Sequence, residues 1–190
     1  MGSHFYTLSL FAILLISALL LQECKKDIYT ATASAPFSLI ATINDTTWAT
    51  DTVTAVLTYS AALHSKTFEC TGTASNKRVY FSVYQNGQTN TSSFPIAEYT
   101  NSTKSDSMSY LINTKNPLGI YNYVTQGSVT PGSGIVNITA IDSVKNLITG
   151  TFSFTSTTVT YDANKQIKSV HADQVQNGGF TNLPFKFITK

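Results

Sequence analysis

Charge is scarce in this sequence. Asp, Glu, Lys and Arg make up 12% of the 190 residues, about half of an ordinary share. The basic residues are scattered, and Lys25-Lys26 and Lys77-Arg78 are the only adjacent pairs. A nucleic-acid surface needs a denser basic stripe, so nucleic acid is set aside as a partner. Histidine is limited to His4, His64 and His171, and cysteine to Cys24 and Cys70. No pair of them has zinc spacing, and no Asp-rich calcium loop occurs, so neither a metal nor a cofactor is expected. Gly132-Ser133-Gly134 lacks the frame of a nucleophile elbow. Carboxylates are few, and nothing in their spacing points to a catalytic pair. Helix formers such as Glu, Arg and Met are sparse. Without crossover helices a parallel sheet has no connections, so parallel α/β folds are excluded.

The composition favours strands instead. Ser and Thr together make up about a quarter of the chain, well above the usual share, and there are 10 Tyr and 11 Phe. β-Branched and aromatic residues fit a pleated, half-buried surface.

The one long apolar run is Leu8–Leu21 (LSLFAILLISALLL). It has the length of a signal-peptide core and is short for a membrane span. No Lys or Arg precedes it, which departs from the usual signal pattern. Directly after it comes Leu21-Gln22-Glu23-Cys24-Lys25-Lys26-Asp27. A cysteine at that place resembles the junction of a bacterial lipoprotein, where the cysteine becomes the first mature residue and carries acyl chains. Leu21 fits that pattern; Glu23, where a small residue is usual, does not. Cys24 is thus the expected lipid attachment site, ahead of an uncleaved anchor helix with an incidental cysteine, and several acyl chains would hold the protein on a bilayer. The expected organisation is a lipoprotein-type signal at residues 1–23, a tether at 24–36 and one all-β domain at 37–190.

Within that domain the stretch from Gly134 onward is the most legible. Val136-Ile138-Ala140 and Ile148-Gly150-Phe152-Phe154 alternate on either side of the polar link 142–146, which predicts a β-hairpin. Gly150 sits inside the inward set, where it either makes room for a large facing side chain or marks a bulge. Asn177-Gly178 reads as a turn. Upstream, further alternating runs start at Phe37, Lys66, Lys77, Phe94, Met108 and Ile120, with polar turns between them. Val53–Tyr59 reads as either a strand or a short helix, and Ala61–His64 is the one place that would tolerate a helical turn. The sum is about ten short strands, and the predicted fold is a single antiparallel β-sandwich or flattened barrel. Trp48, past the first turn, reads as a core anchor. Cys70 shares parity with Phe68, which predicts a buried free thiol rather than a disulfide partner.

The closing region has a recognisable pattern: Gly134, Val136, Ile138, Asp142, Ile148, Gly150-Thr151-Phe152, Phe154, Gly178-Gly179 and Phe180. With Cys24-Lys25-Lys26-Asp27, it resembles an uncharacterised family of small β-rich lipoproteins of Bacteroidota envelopes. That resemblance implies an all-β fold and an envelope location, lipid-anchored at the outer membrane, and carries no activity. It also implies O-glycosylation at Asp-(Ser/Thr)-(aliphatic, Met or Thr), a pattern found at Thr46, Thr52, Ser107 and Ser143. The same pairs suit turns, which accounts for some of them without any modification.

His171 and Asp173, two apart on an expected strand, face one side. They read as a solvated polar pair before they read as a base and its orienting carboxylate. Tyr80 and Tyr84 lie opposite the Val79-Phe81-Val83 face; they read first as ordinary sheet packing with hydroxyls at the rim, and second as the candidate ligand face. Tyr121 and Tyr123 share a face of their own. The expected protein is a monomeric, non-catalytic envelope module that binds a glycan or a protein partner. The alternative is a lipocalin-like barrel carrying a small apolar ligand, with a hydrolase well behind both.

Overall fold

The computed structural model of the chain describes residues 38–101 and 106–190. Among them are thirteen strands in two sheets that share one apolar core. The first sheet runs β2 (Thr46–Ala49), β1 (Ser38–Ile43), β12 (Ile167–Pro184), β11 (Leu147–Tyr161), β10 (Ile135–Asp142), β6 (Glu98–Thr100), with the short β9 (Ser128–Val129) on β11. The second runs β13 (Lys186–Thr189), β3 (Thr52–Ser60), β4 (Ser65–Ala74), β5 (Lys77–Asn86), β7 (Ser107–Lys115), β8 (Tyr121–Thr125). The sheets stay separate, so the fold is a β-sandwich and not a closed barrel. No described helix is long and apolar enough to cross a membrane, a statement that does not bear on strands.

Alternation explains most of the core. Along β11, Ile148, Phe152 and Phe154 point inward and are buried; along β4 and β5, Phe68, Cys70, Val79, Phe81 and Val83 do the same. Their rings meet at the centre, with Phe81 centroids 5.1 Å from Phe152, 5.6 Å from Phe180 and 6.2 Å from Phe68. Such tilted and offset pairs add to the burial of large apolar areas. Trp48 is buried as expected. Phe37 lies outside the described residues.

Several expectations need correction. The strands number thirteen, and two are long: β11 has 15 residues and β12 has 18. One pair is parallel, because β13 lies beside β3 in the same direction. Residues 61–64 are a turn, and residues 94–97 belong to no strand, although the Ala97 carbonyl accepts from the Ile138 N–H at 2.9 Å; only β6 follows them. The chain passes from the second sheet to the first in that stretch. Ala140 is exposed, because β10 bulges between Ile138 and Ala140 and reverses the parity.

Asn177-Gly178 is not a turn. It is a β-bulge in the middle of β12. Between Gln176 and Gly179 the strand takes three steps where β1, from Ile40 to Thr42, takes two. Opposite β11 it again carries one extra residue, between the partners of Phe152 and Phe154. Asn177 has φ 50°, the left-handed region that Asn tolerates. A Cβ on Gly178 would lie 2.5 Å from the Phe152 carbonyl oxygen, so only glycine fits there.

Beyond Thr157 the β11–β12 hairpin runs on as a two-stranded ribbon. Val159, Tyr161, Ile167 and Val170 are exposed on it. Asp162 closes its tip by accepting hydrogen bonds from the backbone N–H groups of Asn164 and Gln166.

Candidate binding face

Parity sends Tyr80 and Tyr84 to the outer face of the second sheet, and both are half-buried there. Tyr80 pairs across the ladder with Thr71 and Ser109. Its hydroxyl donates to Glu69 Oε1 at 3.0 Å. Burial pushes the Tyr80 phenol above its ordinary pKa, with the Glu69 charge adding to the rise and hydrogen bonds from Ser82 and Ser107 opposing it. The Tyr84 hydroxyl donates to Asn86 Oδ1 at 2.6 Å, and its backbone N–H donates to Asp106. Both rings are therefore held by their tips.

The structure brings further residues to this face that the sequence did not group with them. Arg78, also on β5, lays its guanidinium 3.7 Å from the centroid of the Tyr123 ring on β8. Lys115 approaches the neighbouring Tyr121 ring at 5.8 Å. Tyr84, Tyr80 and Arg78 share one parity along β5, with the buried Ser82 between the two tyrosines, and Tyr123 extends the row across β7. Parity put Tyr121 and Tyr123 together, but register with β5 is a long-range property and was not legible. A sheet face of this kind offers tyrosine rings, one guanidinium and several hydroxyls.

The polar pair elsewhere is arranged differently. His171 Nε2 lies 3.4 Å from Asp173 Oδ1, but the His171 side chain is 70% exposed and the Asp173 side chain 7%. Asp173 accepts a 2.7 Å hydrogen bond from the Asn44 amide, and Asn44 Oδ1 in turn accepts from the Gln174 backbone N–H. The carboxylate therefore ties the β1–β2 turn to β12. Its charge also adds to the burial that raises the Tyr110 pKa. Among the described residues no three His, Cys, Asp or Glu side chains converge as a metal site.

Cys70 is fully buried, and burial pushes its thiol well above the ordinary value. Lys66 was overlooked. It shares parity with Phe68 and Cys70, and that parity was the available signal. Its side chain is buried, and its ammonium donates to Thr91 Oγ1 at 3.1 Å and to the Ser93 carbonyl at 2.5 Å. Cys24 lies outside the described residues.

Thr46, Thr52, Ser107 and Ser143 are all exposed. The preceding acids have structural duties. Asp45 sits in a turn at φ 60°. Asp51 accepts from the Ser75 N–H, Asp106 from the Tyr84 N–H, and Asp142 from the Val144 and Lys145 N–H groups.

Comparison with curated proteins and with solved structures gives no match. A family profile does match, over residues 36–184, which is most of the described sandwich. The chain belongs to the family described as a domain of unknown function, DUF6252.

Proposed function

We propose that this protein is an exported, lipid-anchored envelope module, non-catalytic and monomeric, that binds a glycan or a protein partner through the outer face of its second sheet. The observation that carries the reading is the row Tyr84, Tyr80, Arg78 and Tyr123, all half-buried on the outer face of one sheet. Stacking on sugar rings or on a partner's side chains needs such a platform. The barrel alternative needs an apolar lumen, and the centre of the sandwich is occupied by packed Phe rings. A hydrolase needs a base held in a cleft, and His171 stands in solvent.

The anchoring part rests on Cys24 and the apolar run before it, together with the likeness to Bacteroidota envelope lipoproteins; acylation there would place the protein at the outer membrane. Mass spectrometry of the mature N-terminus should find acylated Cys24. The same intact mass tests sugar at Thr46, Thr52, Ser107 or Ser143, whose exposure leaves room for it. A mass equal to the lipidated polypeptide alone removes the glycan.

The binding face is tested by comparing the parent with a Tyr80→Ala, Tyr84→Ala variant on a glycan microarray and against crosslinked envelope from the native host. The expected result is a parent-specific signal that the variant loses while its melting temperature stays close. Equal signal from both, or none from either, refutes the assignment.

A further inference from the structure

The outer face of the first sheet, on the opposite side of the sandwich, carries a trough at the β12 bulge. It is open, has a volume of about 620 Å³, and is bordered by β10, β11 and β12. That is within the range of sites that hold small ligands. Three features of its construction stand out.

The first is Gly179. Gly178 beside it has to be glycine, but Gly179 does not. Its backbone lies outside the left-handed region, and a Cβ added there would meet nothing within 4 Å. The fold tolerates a side chain at that position, and the chain leaves it bare. The result is a gap in the outer face between Ile40 and Thr151, its ladder neighbours.

The second is the bulge itself. Bulges re-aim side chains and recur beside binding sites. Here the extra residue is Asn177, and it lines the trough. The third is chemistry. Thr151, Ser153, Gln176 and Asn177 border the space, Ile135 supplies an apolar wall, and none of the lining residues is charged. Among these four, Gln176 has a described side-chain partner, Gln174 at 3.1 Å. Two carboxamides and two hydroxyls supply donors and acceptors together.

We infer that this trough is a binding site for a segment of neutral glycan. A charged ligand would find no counter-charge among the lining groups and would be desolvated at a cost. An extended peptide recognised by strand addition needs a free ladder edge. β10, β11 and β12 are paired on both sides at this point. A neutral sugar segment needs what the trough offers: paired hydrogen-bonding groups for hydroxyls and an apolar wall for C–H faces. The inference is independent of the tyrosine face, which belongs to the other sheet.

The test uses the full-length protein in a zwitterionic detergent, so that no sugar headgroup competes. The probes are uncharged hexasaccharides of glucose, mannose and N-acetylglucosamine, with an acidic galacturonate hexamer as the contrast. Amide chemical shifts and calorimetry are read for the parent, Gly179→Leu, a Thr151→Val, Gln176→Leu variant, and Tyr80→Ala, Tyr84→Ala. The expected result is that at least one neutral hexasaccharide moves the Thr151, Ser153, Gln176, Asn177 and Gly179 amides. Gly179→Leu should weaken that binding by about tenfold or more, a change of ~1.4 kcal/mol, with the melting temperature unchanged. The Thr151, Gln176 variant should weaken it too, which keeps the test valid if Gly179→Leu folds poorly. The tyrosine variant should bind at the trough as the parent does, so failure of one site is separable from failure of the other. Three outcomes overturn the inference: no movement of those amides at ~1 mM probe, undiminished binding by both trough variants, or preference for the acidic hexamer.

Discussion

Gly150 and Phe180 are cross-strand partners, and the Phe180 ring occupies the space that a side chain on Gly150 would need. A Cβ at Gly150 would lie 2.6 Å from Phe180 Cζ and closer still to the Asn137 carbonyl oxygen. The ladder also shifts register between Ile148 and Gly150, so the glycine both makes room and borders a bulge. Phe180 has little freedom to yield, because Phe68, Phe81 and Phe152 surround it at 5.6–6.5 Å between centroids. Gly150→Val should therefore destabilise the fold by about 1–3 kcal/mol through overpacking. The urea midpoint should fall with an unchanged slope. A variant as stable as the parent would contradict this packing.

How much of this was legible in the sequence follows from which interactions are local. Period-two alternation placed Ile148, Phe152, Phe154, Phe68 and Cys70 in the core, because one buried face per strand is enough to impose it. It failed where a bulge inserts a residue: Ala140 left the core when β10 slipped by one. Asn177-Gly178 was misread for a physical reason. A left-handed Asn beside a Gly satisfies a hairpin turn and a bulge alike, and only the continuation of β12 on both sides distinguishes them. Pairings distant in sequence, such as β13 beside β3, Arg78 over Tyr123, or the trough around Gly179, leave no local pattern. Tyr80 and Tyr84 were placed outward correctly, but the residues that join them there were not all visible.

Cys70 pairs across the sheet with Ala55 and Phe81, and its thiol has no accessible surface. Burial favours the neutral thiol over the thiolate, which is the reactive form. A water-soluble disulfide reagent should leave Cys70 unmodified in the native protein and label it promptly in denaturant. Rapid native labelling in a Cys24→Ser variant would show that the sandwich opens at β4.

Tyr99 and Tyr110 lie in the core, and the Tyr99 hydroxyl donates to the Pro95 carbonyl at 3.0 Å. Burial, helped by the Asp106 charge, pushes the Tyr99 phenol up to about 12. Burial, helped by the Asp173 charge, raises Tyr110 as well. A phenol whose folded pKa exceeds its unfolded value binds its proton more tightly in the native state. The stability it contributes is complete below pH ~10 and is lost as pH rises through the folded value. Ultraviolet titration should then show a native subset of tyrosines ionising late, accompanied by alkaline unfolding. Tyr99→Phe and Tyr110→Phe should each flatten the alkaline loss. Ionisation of every tyrosine near pH 10 with the fold intact would refute the placement.

Lys66 acts in the opposite direction on the same alkaline limb. The side chain turns inward from β4, and its ammonium is satisfied by two neutral acceptors of the 88–93 loop, Thr91 Oγ1 and the Ser93 carbonyl; among the described residues no carboxylate forms an ion pair with it. Desolvation lowers its pKa from 10.5. Between the lowered folded value and the unfolded one, the unfolded chain binds more protons, so this group makes stability rise with pH across that window. Below the folded value both states are charged and the slope vanishes. Lys66→Met removes the titration while keeping the stem's volume. The difference in stability between parent and variant, measured by urea unfolding at steps from neutral pH to about 10.5, cancels the common tyrosine and thiol contributions. That difference should move in the parent's favour as pH rises. The variant also leaves the Ser93 carbonyl without its donor, which costs about 1–3 kcal/mol where the carbonyl stays dry. Amide exchange in residues 88–93 should therefore accelerate in the variant at every pH. A difference that does not change with pH, or that moves against the parent, would mean that the ammonium reaches water past the 88–93 loop.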